Sequence, residues 1–398
     1  MLEAAQSATS TIEPTPPRLT VSLSRSYEPT LRNVMTVRVK LVSPLPPPAG
    51  GIARWTALVM RYARSQSTIR ISLLNTALRL RSVTQTSPLA RISAGIPQIL
   101  RCTFSLAQGL ARRQVDVVHI NCSGQFGIAR DLVLATLARL FRVPVVIHIR
   151  FGRVPVVLKS DGYEGLLLRR LLAKVNATIA IDSKTANALR EHCPGLPVSL
   201  IPNCIDTPDW SPRAESEEFG KYVLFAGWLI RAKGIEELLA AWRELHIDGW
   251  NLVLAGTYDV AYLDALGLRP GTDSTITVLG EVEHERLMSL MAGCEIFVLP
   301  SHTEGFPNSV LEAMSLGRAV IACDVGAIGD MLSEDCGVTV PPRDSAKLGQ
   351  SIAVLMADSD MRAKLGANAA LRAKTLYSLP AVFDQYRALW EHLADRHY

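Results

Sequence analysis

Two successive series of short apolar runs, each separated from the next by a helical period, constrain this chain more than any other feature. The first series places runs at Val37–Val42, Thr68–Leu74, Val115–Ile120, Val143–Ile149, Ala177–Ile181 and Val198–Ile201. The second places them at Tyr222–Ala226, Asn251–Ala255, Thr275–Leu279, Ile296–Leu299, Ala319–Ala322 and Gly337–Val340. Runs this short and this apolar read as parallel strands buried on both faces, and strand–helix alternation winds them into an open α/β sheet. The stretch 207–219 between the two series is rich in Pro and charge and reads as a linker. The expectation is an α/β chain of two Rossmann-like, doubly wound parallel-sheet domains, residues 35–207 and 208–378, facing across a cleft. Ligands of such sheets bind beyond the carboxyl ends of the strands, where His119, Asn121, His148, Arg150 and Asn203 fall.

Composition adds limits. A chain of 398 residues, 48% hydrophobic and 20% charged, has the balance of a globular protein and room for two domains. No run approaches the roughly 20 apolar residues of a membrane span, and the N-terminus has no signal-peptide core, so a cytoplasmic location is expected. Seven scattered cysteines with no Cys-x-x-Cys pair fit reduced thiols and no zinc site. Residues 1–34 are rich in Ser, Thr, Pro and Arg without periodicity and are expected to be disordered, and Met35, just before the first strand, offers an alternative start.

Charge is unevenly shared. Residues 1–210 carry 26 Lys and Arg against 11 Asp and Glu, while 211–398 carry 16 against 26. A basic first half, with Arg54, Arg61, Arg101, Arg139, Arg142, Arg169 and Arg170 in or near its helices, suits an anionic membrane surface or an anionic acceptor.

The richest stretch follows the run Ile296–Leu299. It reads Pro300-Ser301-His302-Thr303-Glu304-Gly305-Phe306-Pro307-Asn308-Ser309-Val310-Leu311-Glu312-Ala313 and passes into a helix closed by Gly317. Pro307 suits the first helical turn, leaving the amides of Asn308, Ser309 and Val310 at the positive end of the helix dipole. Glu304 on the loop and Glu312 inside the helix can both lean toward one ligand there. A ligand with an anionic part and several hydroxyls satisfies both features.

Two glutamates in the form Glu-Gly-Phe-Pro-Asn-Ser-Val-Leu-Glu-Ala, after an apolar strand, resemble the donor-sugar signature of glycosyltransferase family 4, the retaining enzymes of GT-B fold. The resemblance extends over most of residues 37–390 and is strongest from 221 to 340. Gly50-Gly51-Ile52, after the first strand, resembles the family's glycine turn beside the acceptor cleft and donor diphosphate. Gly227-Trp228-Leu229-Ile230-Arg231-Ala232-Lys233-Gly234 resembles its phosphate-binding run, with Lys233 on the lysine position, Trp228 on the arginine position and Arg231 three residues later. Ile201-Pro202-Asn203-Cys204-Ile205-Asp206 resembles its Pro-Asn-Gly-x-Asp run, with Cys204 for glycine. Leu279-Gly280-Glu281-Val282 is similar to the segment at the nucleotide base. Asp324–Asp330 is similar to a loop closing on the donor, with Gly329 and Asp330 where proline and glutamate are usual. The family's histidine position holds Arg150, and His148 lies two residues earlier on the same side of its strand, so either could serve the donor sugar or a phosphate.

The resemblance implies a retaining, metal-independent hexosyltransferase that moves a sugar from a UDP- or GDP-linked donor to a lipid-linked or saccharide acceptor in cell-surface polysaccharide or glycolipid synthesis. No cofactor, metal or nucleic acid is implied. Glu304, Lys233, Arg231, Arg150 and His148 would be catalytic. Glu312, Gly305, Phe306, Asn308, Ser309, Val310, Gly280, Val282, Gly50 and Gly51 would hold the donor. A last amphipathic helix, Leu379–Leu393, would cross back onto the first domain, as it often does in this fold. Asp358-Ser359-Asp360 has the form of a metal-binding triplet but precedes a helical period, where aspartates cap. Two other readings stand beside this one. A non-catalytic binding subunit of the same fold would draw on Trp228 and Arg150 as departures. An epimerase of the same fold would form epimers without acceptor.

Overall fold

A computed structural model of the chain describes residues 36–47, 50–77, 88–125, 127–206, 219–245, 248–268 and 274–395, with side chains from 97 onward in the helix that starts at 88. The expected disordered segment 1–34 and nearly all of the expected linker 207–219 lie outside the described residues.

Strands β1 (Val37–Ser43), β2 (Ile69–Asn75), β3 (Val117–Cys122), β4 (Val145–Ile149), β5 (Ala177–Ala180) and β6 (Val198–Leu200) form one parallel sheet in the order β2-β1-β3-β4-β5-β6. Strands β7 (Lys221–Ala226), β8 (Trp250–Ala255), β9 (Ile276–Gly280), β10 (Ile296–Leu299), β11 (Ala319–Cys323) and β12 (Val338–Val340) form a second, in the order β12-β11-β10-β7-β8-β9. Both are open parallel sheets with helices between strands, which is GT-B architecture. Strand order reverses between β1 and β3 in the first sheet and between β7 and β10 in the second, and crevices open at such points. The loops after β7 and β10 carry Lys233 and Glu304, so topology alone brings these two together.

The alternation of apolar runs predicts every strand, with small shifts at the ends. β3 begins at Val117 instead of Val115 and runs on to Cys122. Asn121 and Cys122 are polar enough to read as a strand end, yet their backbones pair with His148 and Ile149. The short helix Val154–Lys159 has no counterpart among the expected elements; Pro155 sits in its first turn, where proline is compatible with a helix start. Pro307 stands just outside the helix Asn308–Ser315, with extended backbone at φ −72° and ψ 117°, and not within its first turn. The amides of Asn308, Ser309 and Val310 still lead the helix.

The two faces of the first sheet are covered differently. Helices Pro88–Ala111, Gly127–Leu140, Tyr163–Leu172 and Ser183–His192 bury one face. The other takes the helix Gly51–Ala63 and the final helix Leu379–Asp395, whose Val382, Phe383, Tyr386, Trp390 and Leu393 recur at helical spacing and sink among Val37, Val39, Leu41, Trp55 and Val59. Where the chain returns, the Ile205 amide donates to the Tyr377 carbonyl at 2.8 Å and the Leu379 amide to the Ile205 carbonyl at 2.9 Å. Among the described residues no helix is long and apolar enough to cross a membrane.

Candidate active site

The loop from Pro300 to Pro307 is held against other backbones closely enough to exclude side chains. A Cβ on Gly152, just after β4, would lie 2.0 Å from the Glu304 carbonyl oxygen, and one on Gly326, after β11, 2.4 Å from that of Gly305. Gly326 also has φ +57°, which favours glycine. The Ala327 amide donates to the Gly305 carbonyl at 2.8 Å, and the His302 amide to the Ala232 carbonyl at 2.9 Å. Segments from both sheets therefore fix the position of Glu304.

Each glutamate of the pair meets a cation. Lys233 Nζ lies 2.5 Å from Glu304 Oε1, with both side chains largely buried. Glu312 is 4% exposed and lies 2.9 Å from Nη2 of Arg54, which comes from the helix after β1. Burial pushes the Glu312 carboxyl above its ordinary value, and Arg54 opposes that shift. Arg54 also reaches Nε2 of His284 at 3.1 Å. Arg54, Trp55, Leu58, Cys204, Ile205, Asn308, Leu311 and Glu312 enclose a small cavity of about 40 Å³ between the two sheets' elements. Asn203 donates from Nδ2 to the Phe306 carbonyl at 3.3 Å and to Asn308 Oδ1 at 3.2 Å, and Gly51 passes close enough that a Cβ would be 3.3 Å from Asn308 Nδ2.

The surroundings of the other expected site residues differ from one to the next. Arg231 belongs to a single 3-10 turn, Arg231–Lys233, but its side chain is exposed and pairs with Glu236 at 3.3 Å. It lines a separate open depression of about 600 Å³ with Ala232, Glu237, His302 and Arg343. The Phe306 ring packs on Tyr377 in the core, and the Val310 side chain is fully buried, so both offer only backbone to a ligand. Gly280 adopts φ +71° beside Tyr258, Val282 packs partly against the second core, and nothing lies within 4 Å of where a Gly50 Cβ would be. Ser309 is half-buried at the second helical position. Asp330 accepts from the Ser183 amide and hydroxyl, both at 2.7 Å, and so pins the two halves together. Asp358 accepts from the Met361 amide at 2.8 Å as a helix cap.

Arg150 and His148 do lie on one side of their strand, in contact at 3.3 Å. His148 is fully buried, and Arg150, 9% exposed, stands over the Trp55 ring at 4.6 Å. Burial lowers the Arg150 pKa and holds His148 well below its ordinary value. Of the pair, only Arg150 keeps any exposure. Arg54 is the site residue that sequence reading assigned to a basic surface. Its position one turn past Gly50-Gly51, beyond the end of β1, is the signal that points to the cleft.

A part-buried and a buried carboxylate, each facing a cation, lie with a helix N-terminus at a strand-order reversal between two Rossmann-like sheets, and the fold is that of a GT-B glycosyltransferase. The model "Glycosyltransferase Family 4" matches residues 29–208, and "Glycosyl transferases group 1" matches residues 206–372. The chain belongs to glycosyltransferase family 4. It is 26% identical over 311 residues to the alpha-D-kanosaminyltransferase of Streptomyces kanamyceticus, covering 71% of this chain and 79% of the relative. It is 26% identical over 324 residues to the MMP alpha-(1->4)-mannosyltransferase of Mycolicibacterium hassiacum, covering 75% and 76%. The sucrose-phosphate synthase structure from Thermosynechococcus elongatus shares the fold with a TM-score of 0.71 at 20% identity, covering 90% of this chain and 99% of that one. The Anabaena HepE structure in complex with UDP-glucose does so with a TM-score of 0.66 at 17% identity, covering 89% and 99%.

Proposed function

We propose that this glycosyltransferase is a retaining, metal-independent hexosyltransferase using a UDP- or GDP-linked sugar and a lipid-linked or saccharide acceptor. The observation that carries the reading is the placement of Glu304 and Lys233, 2.5 Å apart, at the crevice between β7 and β10, beside the helix that bears Glu312. A nucleotide-sugar offers what these groups lack: hydroxyls for the carboxylates and a diphosphate for the cations and helix amides. In this reading Glu304 holds the donor sugar with the Gly305 and Phe306 backbone. Glu312 takes the ribose hydroxyls, and Arg54 gives way to them. Lys233 stabilises the leaving diphosphate.

The bond from the anomeric carbon to the diphosphate breaks, and the acceptor oxygen bonds the same carbon from the same face. The acceptor proton passes to the departing phosphate oxygen. Charge therefore grows on the diphosphate, where a fixed ammonium contributes most. UDP and UDP-glucose complexes of structural neighbours support a nucleotide donor. A lipid-linked acceptor presented at the inner face of a membrane is supported by the basic first half. Its adjoining helices Pro88–Ala111, Gly127–Leu140 and Tyr163–Leu172 expose Phe104, Leu140 and Leu166 together with Arg101, Arg139 and Arg170.

A thermal-shift panel of nucleotide-sugars tests the donor, with one UDP- or GDP-sugar expected to stabilise the protein well above the rest. Transfer of that sugar with the anomeric configuration preserved, in the presence of EDTA, is the expected chemistry. An inverted product, or a reaction that stops with EDTA, would overturn it.

A further inference from the structure

Behind the cavity, four side chains from three elements make a continuous polar line through the core. Trp390 Nε1 lies 3.1 Å from His119 Nδ1, His119 Nε2 lies 3.2 Å from His148 Nδ1, and His148 Nε2 lies 3.3 Å from Arg150 Nη1. His119, His148 and Trp390 are fully buried, and burial brings the His119 pKa down to about 3, so both imidazoles are neutral and hold one ring proton each. Tyr386 and Trp55 wall the rings, and Asn121 also reaches His119.

Proton counting shows that the line cannot be satisfied as it stands. An indole N–H and a guanidinium only donate, so the line has a donor at each end. Trp390 needs an unprotonated Nδ1 on His119, which puts that ring's proton on Nε2. His119 then donates to Nδ1 of His148, whose own proton must sit on Nε2 and face the Arg150 N–H. Two donors confront each other at that last contact. Arg150 itself makes no ion pair within 4.0 Å with any described carboxylate, although only 9% of it is exposed. Arg150 is also hydrogen-bonded to the Tyr386 hydroxyl, and one acceptor oxygen between Arg150 and His148 resolves the conflict between the two facing donors.

We propose that Trp390 is a positioning residue that, through His119, holds His148 in the Nε2–H tautomer, so that His148 and Arg150 present two converging donors to one ligand oxygen. The inference rests on reading the cavity as the donor site. That oxygen belongs to a phosphate or to a sugar hydroxyl. The final helix of the chain thereby sets the hydrogen-bonding polarity of a group at the end of β4 without touching ligand.

The test is the protonation state of the ring nitrogens, read by 15N NMR on the ligand-free, full-length protein with labelled histidine. The expected result is Nε2–H on both His119 and His148. In Trp390→Phe, which keeps an aromatic ring and removes the donor, the His148 proton should move to Nδ1, because His148 can then donate to His119 and accept from Arg150. A wild-type His148 carrying its proton on Nδ1, or no change in Trp390→Phe, would overturn the relay, and neither result depends on any donor being bound. UDP and GDP, and separately free hexoses, are then titrated into the wild type. A shift of the His148 Nε2–H signal with the nucleotides assigns the oxygen to phosphate, a shift with hexose alone assigns it to a sugar hydroxyl, and no shift with either refutes the two-donor site. Nucleotide binding seen by thermal shift without a His148 response leaves the donor reading intact while sinking this one.

Discussion

Arg54 and Glu312 come from helices on different sheets, yet their side chains meet at 2.9 Å with the carboxylate almost wholly buried. The ion pair bridges the two halves at the cavity that both side chains line. Removing either member has a different consequence.

Glu312 should be a functional carboxylate that costs stability. Burial raises its pKa above the ordinary 4.5, with Arg54 offsetting only part of the shift. A carboxyl raised in this way contributes its full stability below the unfolded pKa and loses it as pH rises through the folded one. Glu312→Gln is therefore expected to be at least as stable as wild type at pH 7, with the difference shrinking toward pH 4.5, while donor affinity falls roughly 10- to 150-fold for a lost charge-assisted hydrogen bond. Arg54→Ala should lower the melting temperature, and less so in the Glu312→Gln background. A Glu312→Gln deficit that is constant across pH would refute the ionisation argument.

Lys233 and Arg231 separate cleanly. Lys233→Ala should lower kcat by about 100-fold or more, as loss of one oxyanion donor does. Arg231, exposed and paired with Glu236, should matter only a few-fold when replaced by alanine. Steady-state kinetics with the identified donor decide this, and the reverse ranking would mean that the open depression beside His302 and Arg343 holds the diphosphate.

Gly152 and Gly50 provide a steric contrast. Gly152→Ala puts a methyl group 2.0 Å from the Glu304 carbonyl, so the loop or the interface between the sheets must move; a stability loss of about 1–3 kcal/mol and a large loss of activity are expected. Gly50→Ala meets nothing within 4 Å and should leave stability close to unchanged. Calorimetry and turnover on both variants check the pair, and an active, stable Gly152→Ala protein would show that Glu304 is not held by this contact.

On the membrane reading, the full-length protein should co-sediment with phosphatidylglycerol vesicles, release as salt shortens the Debye length, and ignore neutral vesicles. Glu at positions 139, 142 and 170 in place of the arginines should reduce binding by roughly 5-fold or more per residue, since each basic side chain near such a surface contributes on the order of 1 kcal/mol. Equal binding to neutral vesicles would point instead to a soluble acceptor.

The strands and the glutamate pair were legible because both depend on local pattern. Fully buried parallel strands such as Ile296–Leu299 leave no doubt in an apolar run, and Glu304 and Glu312 stand at fixed offsets from one helix start. Contacts between the halves were not legible, because they depend on how two separately wound sheets meet. Arg54 read as surface charge, Asp330 as part of a donor loop, and Asn203 as a motif residue, yet each reaches across to the other half. The depth of His148 was hidden for a related reason: what covers it includes Trp55 and Tyr386, residues 331 positions apart in the chain.

The return of the final helix to the first sheet imposes an order on biosynthesis. While the ribosome is still making the second half, at ~5–20 residues per second, the nascent first half has one apolar face covered only by the helix Gly51–Ala63, with an unfilled socket for Phe383, Tyr386 and Trp390. Completion of the earliest-made sheet waits for the last-made helix. A fragment ending near Asp206 would carry that open face permanently, so truncation before Leu379 should yield aggregation-prone or chaperone-bound material even though most of the motif residues would still be encoded.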